Sequence, residues 1–339
     1  MEPAPWAALD DAALLECKIR ALGLRLEDTP LEPLVRQLHE EMAAKGLAFA
    51  PPCHVGDEWF VPVGIPAIFV PFFLVHERLR ELERRMMLEV EGETPQWFMK
   101  LIRHEAGHAI SYAYQLQRKR RWQQTFGLAS QEDTGFYRPR PFSRSYVVHL
   151  DDWYAQAHPD EDFAETFAVW LTPGLDWRAR YRGWKALQKL EYVEELMRSL
   201  AGCPPPHQPG YRLADCDCLG LKLKTYYARK KKYYADSYPD FYDRDLRALF
   251  PIPTTPDGVG LTADAYLRRH RRAVVNAVCD WTNENKYRVD KLLHRLTDRC
   301  AQLKLVVAPN DGDAPLRVAS YVTTLVMNYL FTGRFQRRK

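Results

Sequence analysis

The sequence predicts an α+β fold that is mostly helical, and three observations carry that expectation. Apolar residues recur at helical spacing through most of the 339 residues. One stretch, from Pro51 to about Leu74, reads instead as strand and turn, apolar and punctuated by prolines. Beyond it, Arg103-His104-Glu105-Ala106-Gly107-His108 sits in a helical pattern that stacks two imidazoles one turn apart on one face.

In chain order, residues 8–22 (Ala8, Leu9, Ala12, Leu15, Ile19, Leu22) and 31–45 (Leu34, Val35, Leu38, Met42) keep the helical period. Gly23 and Pro30 part them, giving a small helical layer over residues 1–48. Pro51-Pro52 opens the β-like segment. Cys53 and His54 have no partners at ligand spacing and read as ordinary surface or core residues. His76 to Leu88 is a charged amphipathic helix closed by the Glu91-Gly92-Glu93 turn. Thr94 and Pro95 form a cap and first position for the helix of the two histidines, and Trp97, Leu101, Ile102, Ile110 and Tyr114 supply its apolar side. Arg118-Lys119-Arg120-Arg121 reads as its basic last turn, favourable with the helix dipole.

Residues 122–148 are aromatic and proline-rich with little periodicity, a long loop suited to walling a cleft. A helix follows from Pro159, with acids in its first turn and apolar Phe163, Phe167, Trp170 and Leu171 behind them. Leu175 to Leu200 reads as a packing helical pair. Residues 201–218 form a linker in which Cys203, His207, Cys216 and Cys218 offer a second, structural zinc site, but their spacing matches no standard finger and ordinary thiols are the better reading. Residues 262–304 read as one or two long basic helices and 314–331 as a final apolar one. The expected division is thus 1–48 helical layer, 49–200 core, and 201–339 basic helical region, a separate domain or a lid.

Composition narrows the classes. The net charge of +4 conceals an asymmetry: residues 201–339 carry 24 Lys+Arg against 14 Asp+Glu, and the first 200 carry 24 against 30. Arg229-Lys230-Lys231-Lys232 between tyrosine pairs offers a nucleic-acid footprint, yet no nucleic-acid motif accompanies it, and a solvated basic face explains it as well. Seven cysteines give no disulfide framework. The N-terminus lacks a secretory pattern, and the longest apolar run, Phe60 to Val75, is short and holds Pro62, Pro66 and Pro71. The expectation is a cytoplasmic protein without a membrane span, its oligomeric state open.

His104-Glu105-Ala106-Gly107-His108 is an HExxH arrangement, in which the histidines bind zinc and the glutamate serves as general base for a metal-activated water. In a chain of this histidine content the motif has an accidental expectation of roughly 0.02. The metzincin continuation would need Gly and His where Ser111 and Tyr114 stand, so that class is excluded. A third ligand can come instead from the second helix, where Glu161 and Glu165 are four apart. One can bind the metal while the other orients a ligand imidazole through its second nitrogen. His158 is a spare ligand or a cap, and Tyr137, Tyr146 and His149 are spare oxyanion donors.

The segments Leu101–Ile110 and His158-Pro159-Asp160-Glu161-Asp162-Phe163-Ala164-Glu165-Thr166-Phe167-Ala168 resemble those of gluzincin metallopeptidases, and more closely a bacterial family of zinc-binding metallopeptidases. The second segment is also similar to the glutamate helix of anthrax lethal factor and of the Pro-Pro endopeptidases. The resemblance spans roughly residues 50 to 200. It implies a zincin-like core with a small sheet beside the HExxH helix. It implies Zn²⁺ on His104, His108 and Glu161, support from Glu165, and oxyanion assistance from Tyr154, seven residues before Glu161. It further implies that a strand beside the active-site helix holds the substrate backbone; Ile65 to Phe72 is placed for that, or is an ordinary core strand. The expected function is zinc-dependent hydrolysis of a peptide bond in a peptide or protein substrate, with Glu105 as general base. Two other classes stay open: a zinc-binding recognition module without catalysis, and a nucleic-acid-associated protein with a structural metal site.

Overall fold

A computed structural model describes residues 4–87, 89–131, 140, 142–150, 153–206, 219–236, 243–250, 261–308 and 311–332. Over these residues the chain is mostly helical, with one two-stranded parallel sheet. It divides into two compact units, Met1–Met86 with Val90–Tyr226, and Met87–Glu89 with Tyr227–Lys339. Among the described residues no helix is long and apolar enough to cross a membrane.

The elements run α1 (Asp11–Glu16), α2 (Glu32–Ala44), β1 (Cys53–Gly56), β2 (Ile68–Pro71), α3 (Glu77–Met87), α4 (Pro95–Ala113), α5 (Arg120–Phe126), α6 (Pro159–Leu171), α7 (Trp177–Arg180), α8 (Ala186–Ser199) and α9 (Leu223–Asp236). α4 packs on α6 at the centre of the first unit, with α2 and β2 against α4 and α8 against α6. The N-terminal layer joins this unit through a buried ion pair. Arg103 of α4 donates from Nε and Nη2 to the two Glu41 oxygens of α2, each at 2.7 Å, the bidentate geometry that suits a guanidinium.

The first unit also reaches past the expected boundary near residue 201. The Ile19 and Arg20 amides donate to the Leu221 and Leu219 carbonyls, and the Leu223 amide to Cys17. The Tyr226 hydroxyl then donates to the Asp57 carbonyl at 3.0 Å.

β2 pairs with β1 in parallel, Cys53 opposite Ile68. On its other side Phe60 forms an antiparallel bridge to Phe69, with both amide–carbonyl bonds made. All four residues of β2 are buried. That explains the unbroken apolar run, since a strand covered on both faces has no polar alternation.

Two local expectations differ from the structure. α4 ends at Ala113, because Gln115 takes a left-handed conformation at φ 51°. Arg118–Arg121 therefore belong to a short turn and the start of α5 rather than to the last turn of α4. The supposed loop after residue 122 begins helical, with Trp122 and Phe126 buried against Phe163. Two aromatics four apart are too few to show a period in the sequence.

In the second unit, α10 (Asp243–Leu249), α11 (Ala263–Thr282), α12 (Lys286–Gln302) and α13 (Ala314–Thr332) enclose Val278, Leu292, Leu293, Leu296, Val322 and Val326. The basic stretch 262–304 is two helices. Asn283 closes α11 in the left-handed conformation, and the Asn285 side chain accepts from the Tyr287 amide to start α12. Part of the positive charge is spent internally: Arg271 pairs with Asp290, Arg288 with Glu284, Arg299 with Asp243 and Arg317 with Asp311. The Cys203, His207, Cys216, Cys218 set and Tyr137 fall largely outside the described residues, which include only Cys203 among them.

Candidate metal centre

The centre is built where α4 and α6 touch. The Thr94 hydroxyl accepts from the Trp97 amide at 3.2 Å and starts α4. From there the helical period carries His104, Glu105 and His108 to the side facing α6. α6 starts on His158, whose Nδ1 accepts from the Asp160 amide at 3.2 Å. Gly107 makes the close approach possible: a Cβ there would lie 2.7 Å from the Ala164 Cα.

The approach brings three ligand-type atoms together. His104 Nε2 lies 3.1 Å from His108 Nε2. Glu161 Oε2 lies 3.0 Å from the first and 3.2 Å from the second. Ligands about 2.05 Å from a tetrahedral zinc stand about 3.4 Å apart, so this triangle is already near the size an ion requires. The cluster can hold a metal ion. The donor chemistry, two imidazoles and a carboxylate, suits a divalent transition metal.

Glu165, one turn further along α6 and fully buried, holds the orientation of His104. Its Oε1 is 2.9 Å from His104 Nδ1. Its Oε2 accepts from the Leu150 amide at 2.8 Å and the His149 amide at 3.3 Å. A buried carboxylate with these partners is ionised, so it accepts a hydrogen bond from Nδ1–H and fixes the ring with Nε2 facing the cluster. Burial raises the Glu165 carboxyl, but the His104 bond and charge, with His149 and the Leu150 amide, together outweigh it and the net shift is down. Glu161 is likewise held well below the ordinary carboxylate range, its burial overcome by His108 and His104. Burial lowers His104 and His108, and the facing carboxylates more than reverse this in both. Glu105 moves the other way: burial raises its carboxyl and the two histidines only partly oppose it.

These groups open onto a pocket of about 630 Å³. Glu105 and Tyr154 line it, and the Tyr154 ring centroid is 5.6 Å from that of His104. Trp59, Phe60, Val61 and Val63 form an apolar wall, while Gln117, Ser130 and Gln131 contribute polar surface.

Of the two readings of Ile65–Phe72, the structure has the ordinary core strand. β2 is hydrogen-bonded on both sides, so Ile65–Phe72 contains an interior strand, and the segment lining the pocket is 59–63. His158 is turned to its cap, its Nε2 donating to the Gln131 carbonyl at 3.0 Å. His149 donates from Nε2 to the Lys100 carbonyl at 2.8 Å, and Tyr146 lies under the Lys189 ammonium at 4.1 Å. Neither of these two lines the pocket.

Three features escaped the sequence. Tyr112 lines the pocket one turn beyond His108, a position the helical period alone would have flagged. Lys189 of α8 pairs with buried Asp162 at 2.5 Å. The 149–150 amides clamp Glu165, and backbone donors leave no mark in side-chain identity. No protein-family model, curated protein or solved structure matches this chain.

Proposed function

We propose that the chain is a zinc-dependent metallopeptidase of the gluzincin kind, with a zincin-like core around α4 and α6. The observation that carries this reading is the convergence of His104, His108 and Glu161 beside Glu105 at a pocket. A structural zinc is closed by four protein ligands. Here, among the described residues, three ligand atoms meet at an open pocket, as a catalytic site requires.

His104, His108 and Glu161 would hold the ion. When bound, zinc acidifies a water and polarises a carbonyl oxygen. Glu105, its affinity for protons raised by burial, takes the proton of the attacking water and passes one to the departing amine. Tyr154, beside His104, donates its hydroxyl proton in a hydrogen bond to the oxygen on which charge develops. Glu165 keeps the His104 ring in place throughout. The apolar wall at 59–63 supports a peptide as substrate. Phe60 turns its amide and carbonyl to β2, so by strand alternation the adjacent Val61 groups face the opposite side.

The test is metal content by mass spectrometry on protein purified without added metal, beside His104→Ala and Glu161→Ala, with a peptide-library digest of Glu105→Gln. One zinc per chain, lost in both ligand variants, is expected. Glu105→Gln should keep zinc and lose about 10²–10⁴ in hydrolysis rate. Absence of zinc after reconstitution, or wild-type hydrolysis by Glu105→Gln, refutes the reading.

A further inference from the structure

The helical stripe that carries the metal-type ligands does not end with them. His104, His108 and Tyr112 follow at intervals of four along α4, so the three side chains stack on one face. Tyr112 is 8% exposed and lines the same pocket. Among the described residues its hydroxyl has no hydrogen-bond partner. The ring is buried, but the hydroxyl reaches the pocket, where water or a ligand can accept its proton.

The charge around it selects the partner. Burial, and then Asp160, Glu161 and Glu105, push the phenol well above its ordinary range. It is therefore a neutral hydrogen-bond donor. An uncharged carbonyl oxygen is the complementary acceptor. One helical turn places Tyr112 about 6 Å beyond His108 along the axis, the length of about two residues of extended chain. Tyr154 stands beside His104, and Tyr112 lines the same pocket one helical turn beyond His108.

We infer that Tyr112 contacts the substrate, donating its hydroxyl to a backbone carbonyl of a bound peptide about two residues from the scissile bond on the His108 side. This rests on the peptidase reading and adds a second subsite to it. The site then prefers chains long enough to reach Tyr112 over those that stop at the scissile bond.

The experiment compares wild type with Tyr112→Phe, which removes one oxygen and keeps the ring. Two probes are used: a position-randomised library of phosphinic pentapeptides, and dimethylphosphinate as the armless control. Zinc content and thermal melting are recorded for both proteins. The pentapeptides retained by wild type should bind Tyr112→Phe about 3–10-fold more weakly, the loss expected for one neutral hydrogen bond. Dimethylphosphinate should bind both alike, with equal zinc. Equal pentapeptide affinities overturn the Tyr112 contact and leave the peptidase reading standing. Loss of zinc in Tyr112→Phe also overturns it, by making the phenol part of the metal support. A zinc-loaded wild type that retains dimethylphosphinate but no pentapeptide overturns the peptide reading and this inference together.

Discussion

Substituting Gly107 by alanine tests the construction of the centre without touching a ligand. The added methyl carbon would sit 2.7 Å from the Ala164 Cα and 3.0 Å from its carbonyl oxygen. Carbon atoms in contact prefer about 3.5–4.0 Å, so α4 and α6 must part locally by about 1 Å. The obstacle is backbone, which no rotamer change relieves. Overpacking of this kind costs about 1–3 kcal/mol. Alanine returns about 1 kcal/mol through its better helix propensity. The net loss is then about 0–2 kcal/mol, or a fall in Tm of up to roughly 8 °C for a unit of this size.

Metal affinity should suffer more than stability, because the same contact sets the spacing of the ligands. Moving α6 by about 1 Å stretches the 2.9 Å bond from His104 to Glu165 beyond hydrogen-bond length. It also withdraws Glu161 from the histidine pair. Loss of a supporting contact to a ligand imidazole weakens binding about 10–100-fold. The assays are thermal melting with a chelator present and zinc affinity by competition titration. A Gly107→Ala protein that melts at or above wild type with unchanged zinc affinity would show that the two helices do not depend on this approach.

Two further outcomes follow from groups behind the site. Lys189→Met leaves Asp162, 2% exposed, without its cation. Breaking a buried pair costs about 3–5 kcal/mol. The low end is expected, because burial already raises the Asp162 carboxyl to about 7 against the pull of Lys189. Adding Asp162→Leu should recover most of the loss, and a double variant no more stable than the single one contradicts the pairing. The second outcome concerns pH. Burial, only partly opposed by Glu165 and the Lys100 carbonyl, lowers His149 from 6.5 to about 4. Between those values the unfolded chain takes up a proton that the folded chain refuses, so stability present above pH 6.5 is lost on acidification. With chelator present, His149→Gln should therefore lose less Tm than wild type between pH 7 and pH 5; equal losses would remove His149 from the account.

The sequence by itself carried the chemistry of α4 and α6. Histidines four apart, a threonine–proline start, and glutamates four apart after Pro159 are local patterns, and helices are made of local bonds. Glu161 and Glu165 could be singled out from spacing, but only their placement distinguishes them. Glu161 points its oxygen at both Nε2 atoms, while Glu165 meets the far nitrogen of His104 and two amides of a segment fifteen residues away. That difference arises from the angle and depth at which two helices pack, which no single helix encodes. The same holds for β2, apolar enough for either role until Phe60 and β1 occupied both its sides. Gly107 reads as an unremarkable residue inside the motif until Ala164 lies against it. Tertiary contact decided these matters because each depends on groups distant in sequence whose separation in space is set only when the core closes.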